Sequence, residues 1–305
     1  MGLTDNQKNL IKAIASNNIK AARKWALACC NEDETYKNSR FVSDYKSILS
    51  EPEKKLFELP QNVSGFLCAE DVSKTFNVNR YYLSDGERVL LEKIIRMSKV
   101  AAKLKEMKIN YRNATLLYGK SGTGKTTFAK YLAHKFNLPF CYIKFSTLVD
   151  SLMGSTSRNI SKAFSFALSI PCVFMLDELD AIGTKRCNRG SSTGEEMNRI
   201  SITIMQELDR LPNDAILLAA TNRIEAIDDA ILRRFSVKHE VKPFDKHEKK
   251  QLLNAFLCDV GFDFTEDEAE KIISESGNQS EIINKAIEKI AEDVLDSIDS
   301  EEQQE

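Results

Sequence analysis

Residues 116–133 read LLYGKSGTGKTTFAKYLA, an apolar run, a loop with three glycines and an amphipathic segment that opens with one lysine and two threonines. The loop matches the pattern G-x-x-x-x-G-K-[ST] at Gly119, Gly124, Lys125 and Thr126. Glycines allow consecutive backbone N–H groups to point inward around a phosphate, and the following helix brings its positive N-terminus to the same anion. The stretch therefore predicts a buried strand, a phosphate-binding loop and a helix.

The predicted loop offers several groups to a nucleoside triphosphate. Lys125 can reach the β- and γ-phosphates, and the Thr126 hydroxyl can ligate Mg²⁺. We expect the residues that contact the triphosphate to be Gly119, Lys120, Ser121, Gly122, Thr123, Gly124, Lys125, Thr126 and Thr127.

Two carboxylates follow an apolar run fifty residues further along the chain, in the segment VFMLDE at 173–178. A strand end in a parallel sheet faces the ligand crevice. We therefore expect Asp177 to hold Mg²⁺ and Glu178 to polarise the attacking water as a general base. Asp180 fits a helix-start or surface role as well as a catalytic one.

A further polar side chain, Asn222, follows the apolar segment that ends in Ala219-Ala220-Thr221. In a parallel sheet this position lies beside the two carboxylates, where an amide can orient water or contact the γ-phosphate. In isolation, Asn222 would be interpreted as a turn residue.

Five candidate strands alternate with helical patterns, and several of them are continuously apolar, as strands buried on both faces of a parallel sheet are. They are Ala114–Tyr118, Phe140–Lys144, Val173–Asp177, Ala215–Ala220 and Ser236–Val241. The alternation predicts a doubly wound, five-stranded parallel α/β domain of the P-loop NTPase type.

The flanking segments have no such strands. Residues 4–30 predict two short helices, and residues 31–80 are polar and irregular. After Pro243 only helical patterns remain, followed by an acidic end. We predict a helical extension at 1–80 that recruits a partner or substrate, the α/β domain at 81–242, an all-helical lid at 243–298 and an acidic tail at 299–305.

The composition is that of a soluble globular protein, with 42% hydrophobic and 29% charged residues. A formal net charge of -2 gives no global electrostatic argument for binding nucleic acid or an anionic membrane. The chain has no apolar stretch of membrane-spanning length and does not begin with a signal-peptide pattern. Its seven cysteines form no C-x-x-C pair, so we expect reduced thiols and a cytoplasmic location.

Two adjacent arginines, Arg233 and Arg234, precede the last predicted strand. Both cannot easily fold back onto the nucleotide of their own chain. We expect them to act in trans, as arginine fingers on the γ-phosphate of a neighbouring subunit. The alternative is a solvated basic pair.

These motifs, in this order and together with TNRIEAIDDAILRRF at 221–235, resemble the AAA branch of the AAA+ ATPases. The resemblance covers residues 82–295, and the LDxAxxRRF-like form is closest to spastin, katanin and similar protein-remodelling members. It implies ATP and Mg²⁺ as cofactors and a strand order of 5-1-4-3-2 among the five predicted strands. It also implies a helical lid from about Pro243 and hexameric rings with nucleotide at each subunit boundary.

The same resemblance implies that Leu152, Met153 and Gly154 grip a polypeptide in the central pore. The family has an aromatic residue where this chain has Leu152, and the alternative is that these residues belong to a helix N-terminus in the core. A second pore loop would correspond to residues 183–194. Its basic residues would meet an acidic substrate or be solvated, and they are Lys185, Arg186 and Arg189.

The leading functional hypothesis is an ATP-hydrolysing homo-oligomeric ring that remodels, unfolds or disassembles a polypeptide substrate. One alternative is a DNA-associated ATPase, such as a helicase loader or a transposition accessory, for which the lysine-rich stretch 93–108 is the only support. The near-neutral charge and the absence of a sensor-2 arginine in ESGNQSEIINKAI at 274–286 argue against binding to nucleic acid. A third class is a nucleotide-gated scaffold that recruits partners through its N-terminal helices.

Overall fold

The computed structural model describes residues 2–15, 19–33, 35–50, 59, 63–145, 156–181 and 192–302. It divides the chain into two compact units, Met1–Leu56 and Phe57–Glu305.

The first unit contains three helices, α1 (Asp5–Ala15), α2 (Ile19–Glu32) and α3 (Ser39–Ser50). A capping contact begins α1, because the Thr4 N–H donates to Oε1 of Gln7 at 3.0 Å. The two predicted helices are also confirmed. The expectation that residues 31–80 are irregular is wrong for α3, whose apolar side chains are spaced as on a helix although the segment is polar overall.

The second unit is built on a six-stranded sheet in the order β1-β3-β4-β5-β2-β6. The strands are β1 (Cys68–Glu70), β2 (Ala114–Tyr118), β3 (Phe140–Lys144), β4 (Val173–Asp177), β5 (Ile216–Thr221) and β6 (Val237–Glu240). The last five are parallel, and they confirm the five predicted strands and their implied order. The sequence did not predict β1, which pairs antiparallel with β3 at one edge.

Helices cover both faces of this sheet, as the doubly wound prediction requires. One buried cluster joins the sheet to α7 (Thr156–Ser169) and α8 (Ser192–Asp209). A second cluster joins the opposite face to α5 (Asp85–Glu106) and α6 (Lys125–Phe136). The short helices α4 (Val72–Thr75) and α9 (Asp229–Leu232) also belong to this unit.

Residues 63–80 belong to the second unit, although we placed the domain boundary near residue 80. Val63 and Leu67 are buried in the cluster that contains α7 and α8, and Val72 is buried in the other cluster. Burial of these apolar side chains, together with the pairing of β1, ties the segment to the sheet.

The C-terminal part of the second unit is helical, with α10 (Lys246–Val260), α11 (Glu266–Glu275) and α12 (Gln279–Glu302). These helices share a separate apolar cluster, which includes Leu253, Phe256, Ile273, Ile282 and Ala286. Capping boxes begin α10 and α11. The first residues of the predicted acidic tail continue α12 as far as Glu302. None of the helices in the described ranges is both long and apolar enough to cross a membrane.

Candidate functional site

The glycine loop lies at the carboxyl end of β2. The N–H of Gly119 donates to the carbonyl of Thr221 at 3.3 Å, which ties the loop to the end of β5. Gly119 has a φ of +147°, and a Cβ there would lie 2.2 Å from the carbonyl oxygen of Val241. Only glycine fits this position, because any side chain would collide with the backbone of the segment that follows β6.

Replacing Gly119 with alanine is expected to weaken ATP affinity at least tenfold, because the backbone must shift to relieve the collision with Val241. The matched control is Gly261→Ala at the C-cap of α10, where φ is +70° and nothing lies within 4 Å of the added Cβ. We expect this control to cost about 1 kcal/mol of unfolding free energy and to leave ATP affinity unchanged. Titration with a fluorescent ATP analogue and thermal unfolding separate the two effects, and equal ATP affinities would contradict the prediction.

Lys125 begins α6 and is buried, with 8% of its surface exposed. Its Nζ donates to the carbonyls of Gly119 and Lys120 and to Oδ1 of Asn222, each at 2.8 Å. A lysine ammonium has three donors, so these oxygens account for all of them. Burial lowers the pKa of Lys125, and the nearby carboxylates of Asp177 and Asp180 oppose that shift. An anionic phosphate here would favour the charged ammonium further.

Thr126 and Asp177 meet beside the loop and fit a magnesium ion. The Thr126 hydroxyl donates to Oδ2 of Asp177 at 3.0 Å, and the other carboxylate oxygen of Asp177 accepts from the Glu178 N–H at 2.9 Å. A hydroxyl and a carboxylate are oxygen ligands of the kind that Mg²⁺ takes alongside phosphate oxygens and water. When bound, Mg²⁺ neutralises charge on the phosphates.

Glu178 has a left-handed backbone, with φ of +55°. Such a conformation costs about 1–2 kcal/mol for a residue other than glycine. The next residue, Leu179, is fully buried and begins a short 3-10 helix, and the N–H of Ala181 donates to the Glu178 carbonyl at 2.9 Å. Burial of Leu179 thus holds the strained turn in place, and backbone strain of this kind clusters at functional sites.

Asp180, whose role the sequence left open, holds the end of β5. Its Oδ1 accepts from the Thr221 hydroxyl at 2.9 Å and from the Asn222 N–H at 3.3 Å. Arg223 forms an ion pair with the other oxygen at 3.5 Å. Asp180 therefore positions Asn222, which in turn contacts Lys125. In the sequence, the feature that pointed to this role of Asp180 was its position three residues after Asp177.

The lid reaches the loop at the start of α12, a contact that the sequence did not indicate. The Ser280 N–H donates to the carbonyl of Gly122 at 3.1 Å, and its hydroxyl lies 3.2 Å from the same oxygen. Asn278, which precedes α12, lies beside Gly122 so closely that a Cβ there would be 2.7 Å from its Oδ1. The C-terminal helical part of the second unit thus contacts the glycine loop directly.

The structure places the two arginines in different surroundings. Arg234 is held by Asp209 at the end of α8, with Nε 3.1 Å from both carboxylate oxygens and Nη2 2.9 Å from Oδ2. Arg112 also donates to Asp209, at 2.8 Å. Arg233, in contrast, is exposed to solvent.

The arginine pair lies near the amino end of the parallel strands, whereas the glycine loop lies at their carboxyl end. Just after the pair, the Ser236 N–H donates to the carbonyl of Ala114, the first residue of β2, at 3.0 Å. The loop begins at Gly119, after the last residue of the same strand. At about 3.3 Å per residue, the five residues of β2 separate these two ends by roughly 17 Å.

The pore residues that the resemblance implies, Leu152, Met153 and Gly154, lie outside the described residues. The same is true of the basic side chains expected in the second pore loop, at 185, 186 and 189. Those predictions stay predictions.

A family model described as "ATPase family associated with various cellular activities (AAA)" matches residues 115–243. Residues 115–243 therefore resemble an AAA ATPase domain. The matched region holds the glycine loop, β4 with its carboxylates, Asn222 and the arginine pair, and the matching family is one of ATPases.

The chain is also similar to several curated proteins. An uncharacterized AAA family ATPase of Sinorhizobium fredii is 31% identical over 193 residues, which cover 63% of this chain and 56% of that protein. The 26S proteasome regulatory subunit 6A of Saccharomyces cerevisiae is 37% identical over 147 residues, 47% of this chain and 34% of that subunit. The peroxisomal ATPase PEX6 of Komagataella pastoris is 33% identical, over 59% of this chain and 18% of PEX6. The chain thus spans little more than half of the first relative and less of the others.

Proposed function

We propose that this protein is a ring-forming ATPase that remodels polypeptides, with each nucleotide held between two copies of the chain. One observation supports a ring. The phosphate-binding loop lies at the carboxyl end of the parallel strands, whereas the exposed Arg233 lies near their amino end, roughly 17 Å away by strand rise. Arg233 is therefore suited to the nucleotide of a neighbour. Head-to-tail contacts of this kind close into rings when the rotation permits, and the AAA resemblance suggests six copies.

In this proposal the loop residues 119–127 bind the phosphates, with the Lys125 ammonium on the β- and γ-phosphates. Thr126 and Asp177 hold Mg²⁺. A water molecule attacks the γ-phosphorus as the bond to the bridging oxygen of ADP breaks, and the proton of that water passes to Glu178. The products are ADP and inorganic phosphate.

Three further residues support this step. Asn222, positioned by Asp180, orients the attacking water and contacts the γ-phosphate. Arg233 of the adjacent copy stabilises the charge that develops on the transferred phosphoryl group. Arg234 positions the finger, because its ion pair with Asp209 anchors the segment at the end of α8.

A polypeptide substrate is the finer part of the proposal. It is supported by the similarity to a regulatory subunit of the 26S proteasome and by the resemblance of the IDDAILRRF segment to spastin-like and katanin-like members. Leu152, Met153 and Gly154 would then contact the polypeptide in the pore.

The test is ATP hydrolysis with and without a permanently unfolded casein as the polypeptide probe. We expect casein to stimulate hydrolysis and Leu152→Ala to abolish the stimulation while the basal rate remains, because only the pore contact is truncated. Val260→Ala, which shortens an exposed aliphatic side chain on α10, is the control and should keep the stimulation. A Leu152→Ala protein that responds to casein like the wild type would rule out pore threading.

Two other outcomes would replace the proposed function. Hydrolysis that ignores casein but rises with duplex DNA, and loses that response as salt increases, would support the DNA-associated alternative. A biological function that survives Glu178→Gln would support the nucleotide-gated scaffold. Both enzymatic hypotheses require hydrolysis, and this variant lacks the proposed general base.

A further inference from the structure

A short segment before α5, residues 77–82, lies between two parts of the second unit, and we call it the strap. Its first half is a 3-10 helix, Val78–Arg80. The Asn77 side chain begins this helix, because its Oδ1 accepts from the Asn79 N–H at 3.0 Å. The strap therefore has an ordered backbone from which its side chains project.

Three strap side chains converge on the carboxylate of Asp259, near the end of α10. Arg80 donates through Nε to Oδ2, and Asn77 donates to the same oxygen at 2.8 Å. Nδ2 of Asn79 lies 3.5 Å from Oδ1. The Arg80 guanidinium also lies 5.5 Å from the centroid of the Phe256 ring, about one turn earlier on α10. The Asp259 side chain is only 13% exposed. Water therefore competes weakly for this carboxylate, and charge-assisted hydrogen bonds of this kind are stronger than neutral ones.

The opposite side of the strap packs on α6, the helix that begins at Lys125. The centroid of the Tyr81 ring lies 4.8 Å from that of Tyr131 on α6, and both rings belong to the cluster that joins α5 and α6 to the sheet. The next ring, that of Tyr82, lies 5.5 Å from Phe244 and packs instead against the cluster of α10, α11 and α12, the C-terminal helices. Consecutive side chains of the strap thus join α6 to the C-terminal helices.

The contact with Asp259 fixes the far end of α10. The near end is fixed by the chain itself, because α10 begins at Lys246, shortly after β6. The rise from Lys246 to Asp259 is about 20 Å at 1.5 Å per residue. A helix that is held at one end can pivot about that end, whereas a helix held at both ends cannot. The strap therefore limits the rotation of α10.

Movement of α10 would also reach the glycine loop, because α10 and α12 share one apolar cluster. At the start of α12 the backbone N–H and the hydroxyl of Ser280 both contact the carbonyl of Gly122. A shift of α12 would thus act on the backbone of the loop, whose N–H groups are the ones suited to phosphate.

We propose that the strap, through the contact of Arg80 with Asp259, holds the C-terminal helices against the glycine loop and thereby determines how fast nucleotide leaves the site. Arg80 and Asp259 are positioning residues, because they act through the C-terminal helices and not on the reacting atoms. This inference rests on nucleotide binding at the glycine loop, as in the proposed function, and adds a control of nucleotide release to that site.

Release of a fluorescent ADP analogue, measured by stopped flow with excess unlabelled ADP as the chase, tests the strap. We expect Asp259→Ala to raise the dissociation rate at least fivefold. The KM for ATP should rise while kcat is not lowered, because the groups proposed for the chemical step are unchanged. Arg80→Ala should have a similar effect. The two changes together should accelerate release no more than the larger single change, because both remove the same contact.

The control is Glu275→Ala, which removes an ion pair with Lys285 at 3.0 Å within the C-terminal helices and leaves the strap intact. Thermal unfolding measures how much each variant destabilises the chain. The control should release the analogue at the wild-type rate even if its loss of stability equals that of Asp259→Ala. Equal acceleration by Glu275→Ala would assign the effect to general loosening of the helices and overturn the proposal.

Three other outcomes would also overturn it. Unchanged release by Asp259→Ala, with tight binding of the analogue, would reject the strap and leave the proposed function standing. Additive acceleration by the two changes would show that Arg80 and Asp259 do not act as a pair. A wild-type chain that binds neither ADP nor ATP analogues would overturn the proposed function, and the strap with it.

Discussion

Glu178→Gln is expected to lower kcat for ATP hydrolysis by about 10²–10⁴-fold, the usual contribution of a positioned general base. This loss corresponds to about 3–5 kcal/mol of activation free energy. Glutamine keeps the size of the side chain, and the buried Leu179 that follows it continues to hold the left-handed turn. ATP affinity should therefore remain within a few-fold of the wild type, and the variant should accumulate with ATP bound.

Single-turnover release of phosphate, combined with binding of a fluorescent ATP analogue, measures the two quantities separately. Glu225→Gln is the control, because it neutralises an exposed carboxylate in the short 3-10 helix that follows Asn222. It should retain the wild-type rate. Turnover by Glu178→Gln at more than a tenth of the wild-type rate would remove Glu178 from the role of general base and direct attention to Asp180, the nearby carboxylate that holds Asn222.

The sheet was predictable because its central strands carry their own signal. β2, β3 and β4 have the predicted bounds, since strands buried on both faces are short continuous apolar runs. β1 has three residues and no pattern of its own, and it forms because β3 offers an open edge. The helix α3 was missed because its polar composition hides the spacing of its apolar residues.

The part of the site that could be predicted consists of side chains placed by the carboxyl ends of the parallel strands. Lys125, Asp177 and Asn222 meet because parallel strands bring their carboxyl ends to one edge of the sheet. The contacts of Asp209 were not predictable, because it joins Arg112 and Arg234 across 97 and 25 residues. The contact of Ser280 with Gly122 spans 158 residues. Such contacts join residues that are far apart in the chain, so no local sequence pattern predicts them.

Arg233→Ala is expected to lower kcat by about 10³-fold or more, the effect of removing an arginine finger. The ATP site of the Arg233→Ala chain itself should stay intact, since the phosphate-binding loop lies at the opposite end of the strands. ATP affinity should therefore change little.

Arg234→Ala should behave differently. It removes the ion pair with Asp209 and therefore lowers the thermal stability of the domain as well as the rate. Arg199→Ala, which truncates an exposed arginine on α8, is the control and should leave both unchanged.

Mixing Arg233→Ala with Glu178→Gln tests whether the arginine acts in trans. Each variant alone lacks one half of every site, but in a mixed ring some boundaries join an intact Glu178 to an intact Arg233 of the neighbouring copy. Activity in the mixture should therefore exceed the sum of the two variants at least tenfold, and the specific activity of the wild type should rise steeply with protein concentration. Flat specific activity without rescue would mean that one copy completes its own site. Arg233 would then not act as an arginine finger in trans, and the ring proposed from its position near Ala114 would be rejected.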